Sequence, residues 1–425
     1  MSRINRLAKE GSWIVIGQII TVAGSLVMVR VLTEYLDSTQ YGQLALGLTV
    51  AGLVNQVVMG GIIASIGRYY AIAAEQRDLG RYLVASRYLL ACASGIVVSI
   101  GLILFAGLYF LNYTHWMGLA AAALILSLLT GFNSSLSSIL NAARQRALMA
   151  FHGGLDAWLK VILTLGVVIW LGSSSTAVLI GFACSSFATM ISQLIFLRRA
   201  IPQEKVDDQC NKSWTQQIWS YSIPFSTWGA FTWIQQVSDR WALQAFASTS
   251  DVGEYAVLYQ LGFTPIAVIM GMATSFIGPI VYQRSGDAMD QSRNANVNYL
   301  IWRMTNISLL IGLMAFVTTY FLHEILFNLL VASEYREASY LLPWVVLSGS
   351  IFSSGQMLAL KLMSDMKPSV LIMAKIVTAL VGTLLNIVGA FTAGIHGVVV
   401  AMVIFSGIYF IWMALIAKRE SIETK

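Results

Sequence analysis

Twelve apolar stretches of membrane-spanning length fill this chain, and the second six repeat the first six at a spacing of about half its length. A span needs roughly 20 apolar residues. On that criterion helices are expected near 12–32, 43–66, 88–111, 116–140, 155–171, 177–197, 218–246, 252–280, 300–322, 339–360, 369–391 and 396–417. The runs are continuous, whereas β-barrel strands alternate over about 10 residues, so a barrel is excluded. Charged residues make up 11% of 425 positions, against about 25% in a soluble domain. The pattern is that of an all-α polytopic membrane protein, and its doubling is that of a transporter. The fifth stretch reads as short and the eighth as long, with Pro265 expected to kink or interrupt it and with Pro224 and Pro343 near the starts of the seventh and tenth.

Lys and Arg give the orientation. With the N-terminus inside, every Lys and Arg except Arg30, Arg240 and Arg336 falls in cytoplasmic tails, loops or inner helix ends. The positive-inside rule then predicts both termini on the cytoplasmic side. The net charge of +6 accordingly points to anionic lipid and not to nucleic acid, for which no motif is present. The basic start MSRINRLAKEGSW resembles a signal-peptide n-region, but the apolar run after it is too long and lacks a cleavage site, so it reads as an uncleaved first span. Cys92, Cys184 and Cys210 imply no disulfide. Outside loops such as 112–115, 172–176, 247–251 and 392–395 are short, and 323–338 is modest. They leave no room for an extracytoplasmic catalytic domain. The longest polar stretch, 198–217, reads as cytoplasmic, and 201–217 is expected to be the linker between an N-terminal lobe (1–200, spans one to six) and a C-terminal lobe (218–425, spans seven to twelve).

The repeat is visible in particular residues. Tyr41-Gly42-Gln43-Leu44-Ala45 corresponds to Val252-Gly253-Glu254-Tyr255-Ala256, and Met59-Gly60 to Met270-Gly271, both at an offset of 211. The membrane charges follow: Arg30 matches Arg240, Arg87 matches Arg303 and Lys160 matches Lys375. An even number of spans separates the halves, so they are parallel repeats, which predicts two six-helix lobes around a central cavity.

Three short motifs resemble those of a known family. Arg30-Val31-Leu32 before Tyr41-Gly42, Tyr221-Ser222-Ile223-Pro224 at the opening of span seven, and Ser238-Asp239-Arg240 before Val252-Gly253-Glu254-Tyr255-Ala256 resemble the polysaccharide-transporter branch of the multidrug/oligosaccharidyl-lipid/polysaccharide (MOP) flippases, whose best-known members are O-antigen flippases. The resemblance covers the whole chain in length, span count and half-spacing. It implies a V-shaped pair of lobes in a bacterial inner membrane. It further implies flipping of a polyprenyl-diphosphate-linked oligosaccharide, such as an O-antigen unit of lipopolysaccharide, to the outer leaflet. A polysaccharide polymerase and a chain-length regulator are the protein partners to consider beside membrane lipids.

A diphosphate crossing a bilayer needs cationic side chains facing a wet groove, and the Arg fork suits phosphate oxygens. The expected substrate-binding set is therefore Arg30, Arg240, Asp239, Gln236, Asn55, Arg87, Arg303, Lys160 and Lys375. Each has a plainer reading. Arg30, Arg87, Arg303, Lys160 and Lys375 lie near helix ends and can snorkel. The amides Gln18, Asn55, Gln56, Asn133, Gln235, Gln236, Gln260, Gln356 and Asn386 can line a cavity or tie helices together. Trp228, Trp233, Trp241 and Tyr259 can stack on sugars or form interfacial belts. Asp239 reads as the one acidic residue clearly inside a span, which makes it the ion-coupling candidate. His115, His152, His323 and His396 are placed at or near helix ends, apart from any Cys, Asp or Glu at metal-ligand spacing, so no metal site and no catalytic constellation is expected. No Walker A sequence is present, and no cofactor is expected; the energy source would be a proton or sodium gradient. Glycines 11, 17 and 24 in span one, and 95, 101 and 107 in span three, suggest close helix packing. The alternative function is a cation-coupled drug exporter of the same superfamily, which would be expected to carry more buried carboxylates. A membrane enzyme would need a large outer loop or an embedded His with an acidic partner.

Overall fold

In lipid every backbone N–H and C=O must be satisfied within its own segment, and continuous apolar runs therefore become helices. The computed structural model describes residues 3–200, 212–285, 291–364 and 368–423, and all regular structure among them is helical. The elements are α1 (Arg3–Tyr35), α2 (Ser38–Leu53), α3 (Gly60–Glu75), α4 (Leu79–Phe110), α5 (Met117–Ala142), α6 (Arg146–Leu171), α7 (Ser175–Ala200), α8 (Lys212–Phe246), α9 (Thr249–Ser285), α10 (Gln291–Leu330), α11 (Leu342–Ser364) and α12 (Pro368–Glu423). Among the described residues, ten helical stretches are long and apolar enough to cross a membrane. The chain is a multi-pass membrane protein.

Several expected spans shift for physical reasons. The fifth is not short: α6 begins at Arg146, because the small and polar residues His152, Gly153 and Gly154 that depress local hydropathy are nonetheless helical. α8 begins at Lys212, which puts Pro224 in its interior and not near its start. Pro265 does not interrupt α9, which is helical throughout. The expected spans 369–391 and 396–417 both fall in α12, whose backbone leaves helical geometry at Ala393 and at Gly394, where φ is +54°. Between α2 and α3 the chain stays helical through a π segment, Val54–Met59. Residues 201–211 of the expected linker lie outside the described residues, while 212–217 open α8.

Contacts divide the chain into two compact units, with one division between α1 and α2 and the other two inside α2 and α8. One unit holds the chain up to Leu36 together with 43–233, and the other holds 37–42 with the chain from Ile234 onward. In the first, α8 is anchored by Trp214, whose Nε1 donates to Asp78 Oδ2 at 2.8 Å, and whose ring meets Tyr69 and Tyr82 edge-on. Farther along α8, Trp233 Nε1 donates to the Thr49 carbonyl at 2.8 Å. α1 packs on α6 through small residues: a Cβ on Gly17 would lie 2.8 Å from Ala150 Cβ, and one on Gly24 3.0 Å from Ala157 Cβ. Such close approach is how membrane helices gain van der Waals contact. The glycines of α4 differ, since Gly95 and Gly107 face open space and Gly101 meets only Leu124.

In the second unit the repeat-related glycines touch each other. A Cβ on Gly42 would overlap the Thr249 carbonyl oxygen and sit 3.1 Å from Gly253 N; one on Gly253 would overlap the Ser38 carbonyl oxygen and sit 2.9 Å from Gly42 N. Only glycine permits this backbone approach. Beside it, Ser38 Oγ and Ser250 Oγ share a hydrogen bond of 2.6 Å, Ser38 N–H donates to Glu334 Oε1 at 2.8 Å, and Tyr41 meets Tyr335 edge-on.

Candidate functional site

A buried carboxylate and its neighbouring arginine lie where α8 meets α9. Val237, Ser238 and Asp239 are buried on α8, and α9 presents Tyr255 and Tyr259, one turn apart and so on one face. Tyr255 Oη donates to Asp239 Oδ2 at 2.6 Å, and the Arg240 backbone N–H donates to Oδ1 at 2.7 Å. The Arg240 guanidinium sits 3.8 Å from the same Oδ1, stands over the Tyr259 ring at 4.6 Å and donates to the Gln236 carbonyl at 3.1 Å. Two hydrogen bonds and a nearby guanidinium thus surround the carboxylate. The forked side chain has five N–H donors, of which one on Nη1 meets the Gln236 carbonyl among the described residues. Ser238 is tied to α12 by Asn386, whose Nδ2 donates to its Oγ at 2.9 Å. Asp239, Arg240 and Gln236 are thus brought together. Tyr255, which completes the group, was not a sequence candidate; its spacing from Tyr259 and the length of α9 were the available signal.

The remaining candidates are spread over separate elements. On α1, Arg30 Nη2 pairs with Glu34 Oε2 at 2.8 Å, while its Nη1 is buried with no acceptor among the described residues. Asn55 lies in the π segment, a feature frequent at functional sites. Its Nδ2 donates to Thr130 Oγ1 at 2.9 Å and to the Ala51 carbonyl at 3.1 Å, and its Oδ1 is buried without a donor among the described residues. Arg87 on α4 and Arg303 on α10 are exposed, and Lys375 on α12 is half-buried. Lys160 on α6 is held by Asp156, Nζ to Oδ2 at 2.6 Å. The repeat-related Arg30 and Arg240 therefore have different surroundings.

Three sequence expectations are corrected here. The reading of Asp239 as the one acidic residue clearly inside a span is corrected, because α8, the expected seventh span, is not among the stretches apolar enough to cross, while Asp156 lies in one that is, Arg146–Leu171. His152 is buried within α6, away from its ends and one turn from Asp156. Even so, no group of three or more metal-ligating side chains exists among the described residues. Arg336 is not a bare loop residue either: it donates to the Val331 and Asn328 carbonyls and so closes the end of α10.

Ten helical stretches able to cross a membrane define a multi-pass membrane protein. The chain belongs to the polysaccharide biosynthesis protein family, whose model matches residues 7–285. Its fold is that of MOP superfamily transporters. It is similar to the lipid II flippase MurJ in an inward closed conformation, at 12% identity over 97% of this chain and 87% of that one with a TM-score of 0.75. It is also similar to a multidrug resistance MATE family transporter of the MOP superfamily in its inward-facing conformation, at 14% identity over 95% and 94% with a TM-score of 0.70. A MOP superfamily transporter from Pyrococcus furiosus, described as having a binding pocket of reversed polarity, gives 14% identity over 96% of both chains with a TM-score of 0.62. No curated protein sequence matches the chain.

Proposed function

We propose that the chain is a flippase that moves a polyprenyl-diphosphate-linked oligosaccharide, an O-antigen or similar surface-polysaccharide unit, from the cytoplasmic to the outer leaflet of a bacterial inner membrane by alternating access. Both termini lie on the cytoplasmic side in this reading. The observation that carries it is Arg30: in a chain of the polysaccharide biosynthesis family, an arginine on a membrane-spanning helix keeps a buried Nη1 with no acceptor among the described residues. A buried cationic N–H without a partner is costly, and a phosphate oxygen would satisfy it. Arg240, held over Tyr259 and donating to the Gln236 carbonyl, supplies a second forked cation. Trp and Tyr faces beside such cations suit sugar rings. The lipid II flippase among the structural neighbours supports a lipid-linked cargo. The energy source is proposed to be a proton or sodium gradient, with Asp239 as a candidate coupling residue.

Deleting the gene and analysing polyprenyl-linked intermediates tests the reading. Accumulation of complete lipid-linked units on the cytoplasmic face, with loss of surface glycan, is expected. Normal glycan together with increased sensitivity to toxic compounds would replace the reading with a drug exporter.

A further inference from the structure

His152, Asp156, Lys160 and Thr164 recur every four residues on α6, so they form one stripe along its length. That stripe faces α7. His152 Nε2 contacts Ser192 Oγ at 3.1 Å and its Nδ1 contacts the Leu148 carbonyl at 2.8 Å. One turn on, Asp156 Oδ1 accepts from Ser185 Oγ at 3.3 Å and Thr189 Oγ1 at 3.4 Å, while Oδ2 accepts from Lys160 Nζ at 2.6 Å. The Lys160 ammonium also lies 6.0 Å from the Phe182 ring centre. The ion pair is only partly covered, at 29% and 25% side-chain exposure. No other charge faces it among the described residues. α5 has no ionisable side chain in 117–142, and α1 packs on α6 through Gly17, Thr21 and Gly24. α7 offers hydroxyls here, its arginines 198 and 199 lying more than two turns beyond Thr189.

In a membrane span neither member of such a pair can be left alone. Removing Lys160 from Asp156 would strand a carboxylate, and removing Asp156 would strand an ammonium. Two substitutes are available. A phosphate oxygen can take the place of the carboxylate against the ammonium, and a proton can take the place of the ammonium against the carboxylate. The Asp156 surroundings suit both of its states. Ser185 and Thr189 donate to the carboxylate now, and because a hydroxyl is both donor and acceptor either can turn to accept from a protonated carboxyl. The flexible stem of lysine suits a change of partner better than a fixed Arg fork would.

We propose that Asp156 is an exchangeable counter-ion: it holds Lys160 in the unloaded protein, yields it to the diphosphate of the lipid-linked substrate, and takes up a proton as it does so. This rests on the lipid-linked flippase reading and adds to it a place where cargo binding and proton binding meet. No covalent bond to phosphorus changes. The Lys160–Asp156 ion pair breaks, a Lys160–phosphate ion pair forms, and one proton passes from solvent to Asp156. On this account binding strengthens as pH falls, because the bound state holds one more proton, and the dependence approaches about tenfold per pH unit on top of the ligand's own titration.

The test uses the full-length protein in phosphatidylcholine nanodiscs with undecaprenyl diphosphate as probe and undecaprenol as control. Affinity is measured across pH 6.5–8.5, and proton uptake is followed with an indicator dye in weak buffer. Wild type should take up about one more proton per lipid than Asp156→Asn, by the linkage just stated. Asp156→Asn, which keeps the shape and the hydroxyl contacts, should bind several-fold more tightly with a flatter pH profile. Lys160→Ala should lose most of the affinity, and Asp156→Glu should restore the pH dependence. If wild type binds and Asp156→Asn matches it in affinity, slope and proton count, the exchange is refuted while the flippase reading stands. If neither wild type nor any variant prefers the diphosphate over undecaprenol, the flippase reading fails too. Equal competition by phosphatidylglycerol would make this a general headgroup site and overturn a cargo-linked exchange.

Discussion

Replacing Gly42 with Ala should loosen the junction between the starts of α2 and α9. The added methyl would overlap the Thr249 carbonyl oxygen and lie 3.0 Å from Thr249 C and 3.1 Å from Gly253 N, all of them backbone atoms that cannot rotate away. Relief requires one helix start to move by about an ångström. Overpacking of this kind costs about 1–3 kcal/mol. The shift would also stretch the Ser38–Ser250 hydrogen bond of 2.6 Å, worth about 1 kcal/mol. A loss of about 2 kcal/mol lowers the population of the packed junction about thirtyfold relative to its open forms. Cysteines at 38 and 250, in a background with Cys92, Cys184 and Cys210 replaced, read this directly, since the two hydroxyls already sit at near-disulfide separation. Their oxidation rate should fall at least tenfold when Gly42→Ala is added. Gly253→Ala should do the same, and the double variant should cost less than the sum because the two sites share one contact. An unchanged rate in both single variants, at normal membrane levels, would refute the close-contact argument.

Arg240→Ala and Arg30→Ala should insert normally and reduce surface glycan, with Lys restoring part because it keeps charge without the fork; Arg81, exposed on α4, should tolerate Ala in the same assay. Tyr255→Phe removes a hydrogen bond from a buried carboxylate and should lower thermal stability by about 1.5–3 kcal/mol in detergent; an unchanged melting temperature would mean that Asp239 is satisfied otherwise. Asp239→Asn should remove the dependence of export on the proton or sodium gradient if it couples, and leave that dependence intact if it serves packing.

Much of this molecule is legible in its sequence because bilayer physics leaves few options. Long apolar runs give the helices, and the paired glycines 42 and 253 mark the repeat. Their mutual contact was not legible, since offsets of 211 residues show equivalence and not adjacency. Arg240 and Asp239 stand out as an adjacent pair of opposite charges in an expected span, but Tyr255 and Tyr259 become their neighbours only through the α8–α9 packing. Asp156 was hidden by hydropathy. The polar start of α6 pushed the expected span to 155–171, so the carboxylate looked terminal, although Lys160 four residues later is a helical ion-pair signal. The π segment at Val54–Met59 has no composition of its own to announce it. The assignment of 37–42 and 212–233 to their units depends on tertiary contacts such as Trp214 with Asp78.

The central claim is that the chain moves a lipid-linked glycan across a bilayer, and reconstitution measures that directly. Purified protein in liposomes carrying a polyprenyl-diphosphate oligosaccharide in one leaflet, with an impermeant glycosidase on the opposite side, reports arrival of the cargo as released sugar. The account predicts protein-dependent release that is lost in Arg30→Ala and Arg240→Ala. Release no faster than in protein-free liposomes, from wild-type protein shown to be folded and under an imposed proton or sodium gradient, would contradict it.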